Sequence, residues 1–266
     1  MSRQPSQQDQ AANADVLHPL NLPRQASIQP VWQPALSEQA PEGVMLITPE
    51  QAGQVVHTAA TMPDWDRFHM RPLCMSPRLF IIDDFLSPEE CQALIGEAWH
   101  RMNPSTVVDN ESGEMKPHPG RTSRGTFFHR GETDLVNRIE HRIAQMTRIP
   151  VENGEGLQVL NYQPDQFYKP HYDYFDPAMP GSGVHLQKGG QRVATLLMYL
   201  DTPESGGETA MPEVGITVIP KRGRAFLFYN LFPNGALDAQ TLHSSEPVRS
   251  GEKWVATKWI RESAYL

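Results

Sequence analysis

Only two cysteines, Cys74 and Cys91, occur in 266 residues, and they do not form a C-x-x-C pair. That excludes a disulfide-stapled scaffold and a multi-thiolate metal site, and Cys91 fits the buried face of a helix, so both read as reduced core or surface thiols. There is no excess of positive charge: 23 Lys and Arg stand against 31 Asp and Glu, a formal net charge of −8. A general nucleic-acid binder or an anionic-membrane binder is therefore not expected. No apolar run approaches the length of a membrane span, and the opening Met1-Ser2-Arg3-Gln4-Pro5 has no apolar leader region. The expectation is a cytoplasmic protein with no nucleic-acid or membrane partner.

What is present divides the chain in three. Residues 1–42 are rich in Gln, Pro, Ala and Ser without a sustained apolar period, and read as a flexible extension. Residues 43–78 offer a strand at Val44–Ile47, then Thr48-Pro49-Glu50-Gln51 as a helix start for a helix to about Thr61, and a connector from Met62 to Pro77. Residues 79–266 carry a strand at Leu79–Ile82 and a second helix start at Ser87-Pro88-Glu89-Glu90. Cys91, Leu94, Ile95, Ala98, Trp99 and Met102 then recur at helical spacing as one core stripe. Residues 103–120 are polar and Pro-rich and read as a mobile loop. A strand follows at Arg121–Phe128, then a helix capped by Thr133 with Leu135, Ile139, Ile143 and Met146 on its buried face.

Beyond residue 157 the pattern changes to short strands separated by turns: Leu157–Tyr162, Gln166–Asp173, Arg192–Leu200, Gly215–Ile219, Arg224–Tyr229, Gln240–His243 and Lys253–Arg261. Two helices followed by many short strands predict an α+β, mainly β fold: a double-stranded β-helix, or jelly roll, with supporting helices.

The chemistry concentrates in Tyr168–Phe175. In an extended segment His171 and Asp173 project from one face. With His243 beside a later strand they make two imidazoles and a carboxylate, the donor set that holds Fe(II) with positions left open for a 2-oxo acid and O2. An H-x-D pair alone is commonly a surface pair. Lys253 falls on the returning strand, where strand alternation groups it with Val255, Thr257 and Trp259. A cation there suits the far carboxylate of 2-oxoglutarate, since a buried ammonium needs an anion; an isolated lysine is more often a solvated edge residue. Tyr162 could donate its phenol to the same cosubstrate, or be a core tyrosine; Thr209 could bond the same tail, or be a turn threonine. A zinc hydrolase would use the same three ligands but gives Lys253 and Tyr162 no task. A third reading is a non-catalytic binder of Pro-rich peptides.

The order of these residues, together with Arg121-Thr122-Ser123, Gly154–Tyr162, Pro170–Phe175, Arg192–Thr195, Gly206–Thr209, Phe228–Leu231 and Lys253–Glu262, resembles the catalytic domain of prolyl 4-hydroxylases over roughly the last seven-tenths of the chain. The resemblance implies iron ligands at His171, Asp173 and His243, and a 2-oxoglutarate site made by Lys253, Thr209 and Tyr162. It implies O2 as cosubstrate and ascorbate as reductant. It further implies that Arg121, Ser123, Tyr168, Arg192 and Trp259 lie near a Pro-containing peptide or protein, which would be hydroxylated with release of succinate and CO2. It leaves room for a homodimer, and for the same chemistry on another side chain or a free amino acid. Asp173 argues against related halogenases, which carry a small residue there.

Overall fold

The computed structural model describes residues 68–266. The extension at 1–42, the strand expected at Val44–Ile47 and the helix ending near Thr61 lie outside the described residues.

In chain order, β1 (Arg71–Met75) and β2 (Arg78–Ile82) form a hairpin that leads into helix α1 (Pro88–Trp99). Short strands β3 (Asn103–Pro104), β4 (Thr106–Val108) and β5 (Met115–Pro117) precede β6 (Arg124–Phe128) and helix α2 (Asp134–Thr147). Then come β7 (Leu157–Tyr162), β8 (Tyr168–His171), the single turn α3 (Gly183–Leu186) and β9 (Arg192–Tyr199). The chain closes with β10 (Ser205–Gly206), β11 (Thr209–Met211), β12 (Ile216–Val218), β13 (Ala225–Tyr229), β14 (His243–Ser245), β15 (Val248–Ser250) and β16 (Lys253–Arg261).

Eight strands form one antiparallel sheet in the order β1-β2-β13-β9-β16-β7-β6-β3, and four form a second in the order β12-β11-β14-β8. The period of two along each strand decides which face each side chain serves. On one face of the large sheet, Phe80, Ile82, Leu157, Val159, Leu196, Met198, Leu227 and Ala256 pack with the buried stripes of both helices. On the other, Leu79, Ile81, Leu160, Tyr162, Phe226, Phe228 and Val255 meet Met211 and Val218 of the small sheet. Two sheets around one interior, with helices over the outer face of the larger, are the jelly roll that the sequence led us to expect.

The helices start where their caps stand. Ser87 accepts from the Glu90 amide while the Glu90 carboxylate accepts from the Ser87 amide, a reciprocal box at the start of α1. The Thr133 hydroxyl accepts from the Val136 amide at the start of α2.

Three local expectations need correction. The connector expected up to Pro77 contains β1, an edge strand that tolerates Pro72 because an edge leaves one side of its ladder free. The mobile loop expected at 103–120 is an ordered hairpin, β4 paired with β5. Its tip is fastened to α3 and the turn before it: the Gly181 amide donates to the Asn110 carbonyl and the His185 ring of α3 to the Gly113 carbonyl. Finally, the segment before His243 is a tight helical turn at Ala239–Thr241, and the strand begins at His243 itself. Both cysteines are free and buried, so both are core thiols.

Candidate metal and cosubstrate site

β8 and β14 are antiparallel neighbours, and in their register His171 stands opposite His243. Facing side chains in such a ladder are held a few ångströms apart, and here the ring centres are 4.3 Å apart. Asp173 does not ride on an extended strand with His171 as expected, because β8 ends at His171. Its carboxylate nevertheless turns into the same place. Oδ1 lies 3.8 Å from His171 Nε2, and Oδ2 lies 3.6 Å from His243 Nε2. One ligand atom from each of the three residues falls within 4.8 Å of the others.

The histidines are held in one tautomer by their own backbone. His171 Nδ1 lies 2.8 Å from the Lys169 carbonyl, and His243 Nδ1 lies 3.0 Å from the Thr241 carbonyl. A carbonyl has no proton to give, so each Nδ1 carries the hydrogen and each Nε2 presents a lone pair to the cluster. Burial, then the proximity of His243, pulls His171 down to about 3, against the attraction of Asp173. Asp173 is held below the usual carboxylate range. Burial alone would raise it, but the neighbouring His243, His171 and Arg192 and a Thr195 hydrogen bond outweigh that. Near neutrality the cluster therefore sets the Asp173 carboxylate and a neutral His171 imidazole beside the His243 ring, a donor set suited to a first-row divalent ion with open positions.

The second half of the site is an anion pocket. Lys253 opens β16 opposite Tyr162 on β7, and it is 2% exposed. Its ammonium donates to Ser245 Oγ at 2.8 Å. Among the described residues it has no carboxylate partner within ion-pair distance. Burial pulls it down to about 7, against Glu208 and Glu246 at longer range. Thr209, on β11, lines the same cleft and accepts from the Tyr199 hydroxyl at 2.8 Å, which leaves its own proton available to donate. A buried cation with an unmet need for negative charge, ringed by hydroxyls, fits the distal carboxylate of a dicarboxylic acid.

The residues expected beside a peptide divide. Arg121, Tyr168 and Trp259 line the cleft that contains the metal cluster and Lys253. Tyr168 stacks on His171 with ring centres 3.6 Å apart, and the Arg121 guanidinium sits 4.8 Å over the Tyr168 ring. Arg121 Nε and Trp259 Nε1 are buried donors with no hydrogen-bond partner among the described residues. Ser123 is buried with its hydroxyl on Ser105 and is not part of the cleft lining. Arg192 is also outside that lining. Its guanidinium makes two bonds to Glu155, at 2.6 and 2.9 Å, and lies 3.9 Å over the Trp259 ring.

Sequence reasoning did not single out Ser245, Glu155, Gln158, Thr195 or Asn230. Ser245 had a usable signal, since it stands two residues after His243 on the same short strand. Gln158 accepts from Arg121 at 3.0 Å, but a strand glutamine carries no signature.

The geometry can be set beside known proteins. Residues 157–261 match the model of the 2OG-Fe(II) oxygenase superfamily, which spans every residue of the metal cluster and the anion pocket. Probable prolyl 4-hydroxylase 7 of Arabidopsis thaliana is 39% identical over 226 residues, 78% of this chain and 70% of that protein. Prolyl 4-hydroxylase 5 of the same plant is 45% identical, covering 69% of this chain and 68% of its own length. The viral collagen prolyl hydroxylase of Paramecium Bursaria Chlorella virus-1, solved as a complex with 2OG, superposes with a TM-score of 0.54 at 35% identity, covering 69% of this chain and 95% of the viral one. On this likeness in sequence, fold and site, the chain belongs to the prolyl 4-hydroxylase family of 2OG-Fe(II) oxygenases.

Proposed function

We propose that the protein is an Fe(II)- and 2-oxoglutarate-dependent dioxygenase that hydroxylates prolyl residues at the 4-position in a peptide or protein. Succinate and CO2 are the co-products, and ascorbate serves as the reductant that maintains the iron. The observation that carries the reading is Lys253: a buried ammonium without an ionic partner among the described residues, in the same cleft as two histidines and a carboxylate.

His171, Asp173 and His243 would hold Fe(II), and Lys253, Thr209 and Tyr162 would hold 2-oxoglutarate. Bound together, these two supply the oxidative decarboxylation that drives hydroxylation of an unactivated C–H bond. The chain's own work is placement. Lys253 and the Thr209 hydroxyl fix the distal carboxylate, so that the keto acid end is directed toward the histidines. Phe228, 4.8 Å from the His243 ring, and Leu160, Leu197 and Val255 in the cleft exclude water from the metal side. Arg121, Tyr168 and Trp259 form the wall against which a peptide would lie. The two buried unpartnered donors there suit its carbonyl oxygens, and the aromatic faces suit prolyl rings in polyproline II geometry. Ser123 and Arg192 would act on the peptide through this wall.

A zinc hydrolase is the weaker reading. Asp173 is the only carboxylate lining the cleft among the described residues, which leaves no separate general base. A cytoplasmic location is part of the proposal, supported by two buried thiols that need no oxidising compartment. So is a homodimer, which light scattering would test.

The deciding experiment is succinate release from 2-oxoglutarate with Fe(II), ascorbate and O2, with and without poly-proline, collagen-like and other Pro-containing peptides. The expected result is iron-dependent succinate that rises with one peptide, which gains the mass of one oxygen on proline. Peptide-independent succinate alone would move the target away from proline, and no succinate at all would remove the dioxygenase reading.

A further inference from the structure

Asp173 poses a problem that the histidines do not. His171 and His243 are fixed by ladder positions and by backbone carbonyls, whereas Asp173 stands beyond the end of β8 with no strand pairing to aim its side chain. A carboxylate on a bend can rotate. Something else must hold it at an angle a metal ion can use.

That support comes from the large sheet. Thr195, in the middle of β9, is fully buried, and its hydroxyl donates to Asp173 Oδ2 at 2.7 Å. Asn230, just past β13 and also fully buried, donates from its amide nitrogen to Thr195 Oγ1 at 3.1 Å. The chain of bonds has one direction. Thr195 has a single proton, and accepting from Asn230 turns that proton toward Asp173. Asp173 Oδ2 is the acceptor at the end of the chain. Thr195 is itself immobile, paired across the ladder with Phe228 on one side and Trp259 on the other. The bond engages Oδ2 and leaves Oδ1, 3.8 Å from His171 Nε2, without a hydrogen-bond donor among the described residues.

We propose that Thr195, braced by Asn230, is a positioning residue that orients Asp173 as a one-oxygen metal ligand and thereby sets the affinity and geometry of the site. The inference rests on the reading of His171, Asp173 and His243 as a metal centre. Hydrogen bonds that orient ligating groups commonly matter by about 10- to 100-fold in metal affinity.

The test is titration of the metal-free full chain with Co(II), followed by calorimetry and by the visible absorption of the bound ion, without cosubstrate. Thr195→Val keeps the shape but removes the proton; Thr195→Ser keeps the proton. The expected result is a Co(II) dissociation constant about 10- to 100-fold higher for T195V, with an altered absorption spectrum, and near-wild-type values for T195S. Should T195V not fold, T195V/N230L removes the stranded amide with the hydroxyl and carries the same expectation. Wild-type affinity and spectrum in the valine variants would overturn the positioning role while leaving the metal centre standing. So would a T195S as weak as T195V, since packing would then be the cause. A wild-type chain that binds no Co(II) would overturn both readings together.

Discussion

Lys253 and Tyr162 stand opposite each other across the ladder of β16 and β7, and the Lys253 ammonium lies 5.4 Å from the centre of the Tyr162 ring. The aromatic face gives the cation partial relief but supplies no counter-charge. The pocket is thus built for a ligand that brings one.

Lys253→Met should raise the KM for 2-oxoglutarate by about 30-fold or more, since truncating one partner of a buried charge pair costs roughly 2–5 kcal/mol, while the peptide KM stays within a few-fold. The same variant should melt at a higher temperature than wild type when no cosubstrate is present, because a desolvated charge has been removed. Steady-state kinetics and thermal melts check both halves; equal changes in the two KM values would take the cosubstrate role away from Lys253.

The pH dependence follows from the same residue. Its folded-state value, about 7, lies below its ordinary 10.5, so between those limits the unfolded chain binds more protons than the folded one. Stability of the cosubstrate-free protein should therefore rise with pH through that window, the Lys253 penalty being fully present below it. Affinity for 2-oxoglutarate should move the other way, falling above about pH 7 as the free ammonium deprotonates. Binding calorimetry between pH 6 and 9 should show proton uptake that Lys253→Arg abolishes.

His171→Ala should abolish 2-oxoglutarate decarboxylation while leaving the melting temperature close to that of the metal-free wild type. The ring lines the cleft, and the packing it loses is its stack on the partly buried Tyr168 at the edge of the second hydrophobic cluster. Retained turnover would remove His171 from the metal centre.

Glu155 serves two guanidinium groups: two hydrogen bonds to Arg192, and a contact of 3.4 Å to Arg261 Nε. Glu155→Ala leaves the buried Arg261 and the largely covered Arg192 against Phe175 without the carboxylate that joins them. Breaking a buried pair in this way should cost about 3–5 kcal/mol by chemical denaturation. A loss under about 1 kcal/mol would show that solvent already screens the cluster.

Much of this was legible from spacing. The long strands Leu157–Tyr162 and Lys253–Arg261 have the bounds expected from their β-forming runs between turns, and the strand period along the second placed Lys253, Val255, Thr257 and Trp259 on the cleft side. Both helices were visible because Ser87 and Thr133 mark their first turns. The hairpin of β4 and β5 was not. Its strands are only three residues long, too short to show an alternation, and its order comes from contacts with Asn110, Gly113, Gly181 and His185, which no local pattern encodes. Asp173 was placed on the correct side for an incomplete reason: the strand period stops two residues early, and Thr195, 22 positions away in sequence, supplies the missing constraint. A threonine inside an apolar strand looks like any other β-former. Ser245 was overlooked although the spacing that relates His171 to Asp173 also relates His243 to Ser245.

The opposed placement of His171 and His243 has a thermodynamic consequence. Their separation is a property of the sheet, fixed when β8 pairs with β14 during folding, so the conformational entropy of bringing them together is spent before any ion arrives. Loading the ion should then leave the backbone amide exchange rates of both strands almost unchanged, and removing it should not unravel them. The centre behaves as a socket, and the ion can come and go without the protein folding around it.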